Sequence, residues 1–174
     1  MSKSRLNLQE YQQYILERLQ HVSEAQEVDS AWLGVYAGGQ RYLVSLHEIS
    51  EVLPVPEILH VPLTQAWFLG MANVRGNLYA ITDMAQFFGI RQQQPVLMAD
   101  SRILLAHDDF DLNAGFLIDG LAGLRNLGEL KPLGLVADVP DYVTARYEDQ
   151  QHNQWEALDM ARLLGKREFL QVAA

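Results

Sequence analysis

Arg75 is the residue of this 174-residue chain best suited to recognition chemistry. It stands in Asn73-Val74-Arg75-Gly76-Asn77, between the apolar runs Phe68–Met71 and Leu78–Ile81. An Arg-Gly pair between two such runs predicts a turn or bulge at the end of a strand. A guanidinium held there presents five donors in a planar fork, a geometry that captures a carboxylate through two bonds. Two uses of that chemistry stand side by side at this stage. The acid is one of the chain's own and pins the turn, or it belongs to a partner.

The densest acidic cluster is His107-Asp108-Asp109-Phe110-Asp111. Oxygen ligands suit Ca²⁺ or Mg²⁺, but an EF-hand loop needs Gly at its sixth position and Glu at its twelfth, and neither occurs here. Between two apolar runs, the cluster reads as a solvated hairpin tip. Histidines 21, 47, 60, 107 and 152 have no metal-ligand spacing. No nucleophile elbow or phosphate loop is present, and Gly120, Gly123 and Gly128 are spaced wrongly for a dinucleotide fingerprint. With no cysteine, disulfides and thiolate sites are excluded. The expectation is a protein without catalytic residues, cofactor or metal. A small β-barrel enzyme or ligand binder using the 107–111 acids is the competing reading.

Charge narrows the partners. There are 22 acidic against 13 basic residues, a formal charge of −9. Nucleic-acid binding needs a basic stripe to displace phosphate counterions, and anionic membranes likewise attract basic surfaces; both are disfavoured. No apolar run approaches the roughly 18 residues that would suggest a membrane span. Met1–Asn7 is followed by a Gln-rich stretch and not by the apolar core of a signal peptide. The expected location is cytoplasmic.

Two kinds of element must position these residues. Leu8, Tyr11, Ile15, Leu19 and Val22 recur at helical spacing, with Asn7 and Glu10 in the form of a capping box. This predicts an N-terminal helix, followed by a polar linker at 23–30. Residues 1–29 are thus a helix and linker, and 30–174 a domain. That domain alternates short apolar runs with turns: Trp32–Ala37, Tyr42–Leu46, Ile49–Val52, Leu59–Leu63, Phe68–Val74, Leu78–Ile81, Ile103–Ala106, Phe116–Ile118 and Leu133–Val136. All six prolines are expected between strands, where a missing N–H does least harm. The pattern predicts a small all-β barrel or sandwich with few helical pieces.

An internal repeat organises the domain. Asp83-Met84-Ala85-Gln86-Phe87-Phe88-Gly89 returns as Asp159-Met160-Ala161-Arg162-Leu163-Leu164-Gly165, 76 positions later. Leu46, Ile49 and Val52 are echoed by Ile118, Leu121 and Leu124 at an offset of 72, so an indel of four residues lies between. Each half is near 70 residues, too small to bury a secure core alone. The halves are expected to share one interface.

The residues also resemble a known family, the CheW-like coupling domains of bacterial chemosensory systems. The resemblance rests on W-L-G-V-Y at 32–36 with G-G-Q-R-Y at 38–42, I-S-E-V at 49–52, W-F-L-G at 67–70 and A-N-V-R-G-N-L-Y-A-I-T-D at 72–83. R-I-L-L at 102–105, G-F-L-I-D-G-L at 115–121 and L-D-M at 158–160 extend it through the second half. It implies a mainly β fold of two intertwined SH3-like five-stranded β-barrels, here with an N-terminal helix. It also implies a non-enzymatic adaptor joining a chemoreceptor cytoplasmic tip to the regulatory domain of a histidine kinase. Receptor binding in the family uses the groove between the barrels, which here maps to Ile49, Glu51, Asn73, Arg75 and Gly76. The extension before the domain and the F-L-Q-V-A-A run at 169–174 look most like the PilI-like branch, which serves type IV pilus signalling and twitching motility. An adaptor of flagellar chemotaxis is the alternative branch. Leu43 after Tyr42, and Tyr142–Ala145 without a glycine, depart from the family pattern; Gln150–Glu156 is polar where an apolar strand is expected.

Overall fold

The computed structural model describes residues 12–13 and 31–174. The expected N-terminal helix lies outside the described residues, apart from Gln12 and Gln13, which are helical. From Ala31 onward the chain forms eleven strands: β1 (Ala31–Ala37), β2 (Gln40–Ser45), β3 (Ile49–Pro54), β4 (Phe68–Val74), β5 (Asn77–Asp83), β6 (Arg102–Ala106), β7 (Ala114–Ile118), β8 (Gly120–Asn126), β9 (Lys131–Leu133), β10 (Val143–Glu148) and β11 (Gln154–Leu158). Three short helices accompany them: α1 (Met84–Phe87), α2 (Met160–Leu164) and α3 (Arg167–Leu170).

The strands form two sheets, in the orders β8-β1-β2-β11-β10-β9 and β3-β6-β7-β5-β4. Their registers resolve the repeat strand by strand. On β3 and β6, Ile49 faces Ala106 and Glu51 faces Leu105; on β8 and β1, Leu121 faces Val35 and Gly123 faces Gly34. Each pair of strands carries a bulge at the matching place. The β4–β5 and β10–β11 hairpins repeat in the same way, Phe68–Thr82 and Gly70–Ile81 answering to Val143–Leu158 and Ala145–Ala157. The offset is 72 at β3/β8, 75 at β4/β10 and 76 at β5/β11. The four-residue indel is therefore three residues in the loop before β4 and β10, and one in the hairpin turn.

This correspondence shows how the halves intertwine. Strands β1 and β2 of the first half join a sheet completed by β8, β9, β10 and β11; β6 and β7 of the second half join β3, β4 and β5. The parallel pairings β2–β11 and β5–β7 are where one half crosses into the other. Each sheet encloses its own apolar interior, Leu43, Leu130, Trp155 and Ala157 in one, and Leu53, Ala72, Ile81, Ile103, Leu105 and Leu117 in the other. A third and largest core fills the space between the sheets and includes Leu33, Val44, Met84, Leu104, Phe116, Leu158 and Met160. Strands β6 and β7 serve both kinds of core, so both their faces are buried. That is why R-I-L-L-A and A-G-F-L-I read as continuous apolar runs without alternation.

Some expected elements change. Leu59–Leu63 is not a strand but a single bridge from Leu59 to Met71, because Pro62 lacks a donor and Leu63 turns to a left-handed φ of 59°. Its counterpart, Leu133 opposite Arg146, lengthens into β9 and gives that sheet six strands, one more than expected. Of Leu133–Val136 only Leu133 lies in the strand. Pro54 and Pro132 fall inside strands and not between them; both strands are sheet edges, where a proline leaves no ladder bond broken. Strands β8, β10 and β11 carried no clear apolar run, since each is partly exposed. Of the two repeat aspartates, Asp159 caps its helix by accepting from the Arg162 N–H at 2.9 Å, whereas Asp83 makes no such cap.

Candidate functional site

The N-V-R-G segment is the turn between β4 and β5. Arg75 has φ 50° and Gly76 φ 85°, so both central residues are left-handed, the conformation of a two-residue type I′ hairpin. Glycine adopts this freely, while arginine does so at a cost of about 1 kcal/mol. Asn73 offsets part of that cost: its Oδ1 accepts the Gly76 N–H at 2.9 Å, closing the turn from within.

The turn delivers the Arg75 guanidinium to Glu51 on β3. Nη1 donates to Oε1 at 3.1 Å and Nη2 donates to Oε2, so both carboxylate oxygens are engaged. Strands β3 and β4 are opposite edges of one sheet, separated by β6, β7 and β5. Contact between their residues means the sheet has curled until its edges meet, with the ion pair across the seam. The Glu51 side chain is 13% exposed and that of Arg75 69%. The carboxylate is therefore sheltered, while most of the Arg75 side chain faces solvent with its fork held by two bonds. Both uses of Arg75 left open by the residues are compatible with this geometry, since an internally held fork is preorganised for a second acceptor.

Glu51, Asn73, Arg75 and Gly76 are thus brought together. Ile49 is placed differently. A regular strand would put positions 49 and 51 on one face, but the register shift between them moves Ile49 to the other side. There it packs, half-buried, against the core between the sheets, as does Val52, while Leu53 enters the barrel interior.

The matching hairpin of the second half is built on other chemistry. Gly123 occupies the register position of Glu51, and the β10–β11 turn closes around Asp149. That carboxylate accepts from the N–H groups of Gln151 and Asn153, from Asn153 Nδ2 and from Trp155 Nε1, all at 2.9–3.1 Å. Burial pushes the Asp149 carboxyl up, but Trp155 and the Asn153 and Gln151 donors together outweigh it and hold it down at about 2. Trp155 itself is buried in its barrel, with the Arg125 guanidinium 4.9 Å from its ring centroid.

Two further polar groups tie the halves together. Arg91 Nη2 donates to both oxygens of Asp119 at 2.6 Å and Nη1 lies 3.5 Å from Asp83 Oδ2, while Asp119 also accepts the Gly38 N–H at 2.8 Å. Burial raises the Asp83 carboxyl, and the nearby Arg91 charge opposes that rise. On the other side, Glu48 Oε1 accepts the Met160 N–H at 3.2 Å, at the start of α2; burial raises this carboxyl too, against the pull of that N–H. The signal available in sequence was the G-F-L-I-D-G element, whose aspartate is Asp119. Arg91 and Glu48 lie in no recognisable motif.

The 107–111 acids lie in the β6–β7 connection, where residues 108–110 form a 3-10 turn and the Asp109 side chain is 90% exposed. Among the described residues no group of three His, Asp or Glu could hold a metal ion. No described helix is long and apolar enough to cross a membrane.

Comparison with known proteins agrees with this architecture. Residues 31–168 match the CheW-like domain. Protein PilI of Pseudomonas aeruginosa is 31% identical over 108 residues, covering 58% of this chain and 56% of that protein. Chemotaxis protein CheW of Helicobacter pylori is 29% identical over 90 residues, covering 52% and 53%. The chain thus spans about half the length of these relatives. Among solved structures, the scaffolding protein TtCheW from Thermoanaerobacter tengcongensis superposes with a TM-score of 0.67 at 17% identity, over 84% of this chain and 93% of that one. At that identity the likeness speaks for the fold alone.

Proposed function

The chain belongs to the CheW-like domain family, and we propose that within it this member couples a chemoreceptor cytoplasmic tip to the regulatory domain of a histidine kinase. CheW-like proteins are non-enzymatic adaptors of chemosensory signalling that couple receptors and kinase, and this chain is one of them. The finer reading is a cytoplasmic adaptor of the type IV pilus system, acting on twitching motility. Its support is the similarity to a PilI protein.

The observation that carries a docking role is the Arg75 fork, ordered by Glu51 yet 69% exposed. On this reading Arg75, Glu51, Asn73 and Gly76 form the receptor-facing surface, and Ile49 contributes to it only from the opposite side of β3, where it packs against the core between the sheets. Nothing in that surface needs a reaction. The adaptor holds receptor and kinase in register, so that the receptor's state biases the kinase.

Similarity to a chemotaxis CheW favours a second branch, coupling to flagellar chemotaxis. Co-purification of the tagged chain with candidate receptors and kinases from its own cells separates the two. Recovery of a pilus-system kinase together with its receptor is expected. Recovery of a flagellar kinase alone would overturn the pilus assignment, and recovery of neither a receptor nor a kinase would overturn the coupling reading.

A further inference from the structure

The repeat places an arginine where the first half has a core leucine. By the offset of 72 that relates β3 to β8, Arg125 stands at the register position of Leu53, and the residues they face are Trp32 and Ile103. Leu53 and Ile103 are buried in the interior of their barrel. In the second barrel the same place holds a half-buried guanidinium, 4.9 Å from the Trp155 ring centroid. Its hydrogen bonding is incomplete. Nη2 donates to the Ala122 carbonyl at 3.3 Å, while Nε is buried without a partner. Among the described residues Nη1 has no acceptor and no carboxylate pairs with the fork. The first barrel answers its own arginine with Glu51, but the register position of Glu51 is Gly123 here, which offers no acid. A cation set among apolar residues without a counter-charge is a costly arrangement, and the Trp155 face offsets only part of that cost.

We propose that Arg125 is a docking point for a single carboxylate, the aspartate or glutamate side chain of a protein partner. The occupant follows from charge. A guanidinium fork takes carboxylates and phosphates alike. Here one cation stands in a chain of charge −9, and the Asp149 carboxylate is bound to the same indole through Trp155 Nε1. That field favours a monoanion over a dianion. The bond to Asp149 also holds the indole in place, so the fork rests on a fixed platform and is preorganised. The site is on the second barrel, apart from Arg75, and stands or falls independently of receptor coupling.

Two N–H groups report occupancy by nuclear magnetic resonance of the full-length chain: Arg125 Nε–H, shielded from water, and the Trp155 indole. The tripeptide acetyl-Leu-Glu-Leu-amide at neutral pH is expected to move both signals saturably. The matching glutamine peptide and inorganic phosphate should bind about fivefold more weakly or less. In Arg125→Gln the indole signal should no longer respond. Arg125→Leu carries the first barrel's residue at this register position, and its melting temperature should rise by about 2 °C or more. Equal binding of the glutamine peptide or of phosphate, or an indole response kept in Arg125→Gln, overturns the proposal. Loss of the folded state in either variant, or a lower melting temperature in Arg125→Leu, would make the arginine structural and overturn it too. So would a shift of the ligand-free Nε–H signal in Glu24→Gln/Glu27→Gln/Asp29→Asn, which would give the fork to the chain's own acids.

Discussion

Glu51 and Arg75 meet through both guanidinium nitrogens although they sit at opposite edges of one five-stranded sheet. The pair marks where that sheet closes on itself. Exposed ion pairs are worth about 0.2–1 kcal/mol, so this one orders the seam without dominating stability.

A double-mutant cycle of Glu51→Ala and Arg75→Ala, read by urea unfolding, should give a coupling below about 1 kcal/mol. Binding of a receptor-tip peptide should respond more strongly. Arg75→Ala is expected to cost about 2 kcal/mol, roughly thirtyfold in affinity, as an interface hot spot does. Equal affinity with an unchanged circular-dichroism spectrum would remove Arg75 from the interface.

Arg75→Asn separates stability from binding. It creates the Asn-Gly pair that type I′ turns prefer and relieves the left-handed arginine, while the ion pair is lost. The melting temperature should stay within about 3 °C of wild type or rise, and peptide affinity should still fall. A clear drop in melting temperature would mean that the ion pair outweighs the backbone strain.

Gly70 has φ 138°, and a Cβ there would lie 2.0 Å from the Leu59 carbonyl oxygen, a backbone atom that cannot swing aside. Gly70→Ala should cost about 3 kcal/mol or more and displace the 55–67 loop. The repeat tolerates Ala145 at the equivalent place because its φ is not left-handed. Thermal unfolding of the variant within 2 °C of wild type would contradict the close approach.

Two carboxylates, the buried Asp83 and the turn residue Asp149, should shift acid stability in opposite directions. Asp83 has a raised folded pKa, so the native state binds its proton more readily than the unfolded chain does. Its contribution is full below the ordinary value of 3.8 and is lost as pH rises through the folded value. Asp149, held at about 2, contributes above 3.8 and loses that contribution as pH falls toward 2. Urea midpoints from pH 2 to 6 should therefore show wild type losing its advantage over Asp149→Asn on acidification. Against Asp83→Asn, wild type should gain. The same trend for both variants would contradict one of the two environments.

What could be read without coordinates was local. Apolar runs bounded by glycine and proline marked most strands, because each strand's side chains must choose between core and solvent. The repeated Asp-Met-Ala element marked two helices whose Met84 and Met160 are both buried. The Arg-Gly turn was legible because a two-residue hairpin demands particular backbone angles. Strands β10 and β11 were hidden, since partial exposure gives Thr144, Arg146 and Glu156 no reason to be apolar.

What only the tertiary structure decided was which strands pair. Nothing local tells β2 to run beside β11, or β5 beside β7; that follows from two halves that bury their shared core only by exchanging strands. The same closure chose Glu51, out of 22 acidic residues, as the partner of Arg75, and let the bulge between Ile49 and Glu51 turn neighbouring positions to opposite sides. Spacing along the chain sets what a residue offers. Sheet curvature and register set what it meets, because contacts between distant segments depend on how the whole sheet closes.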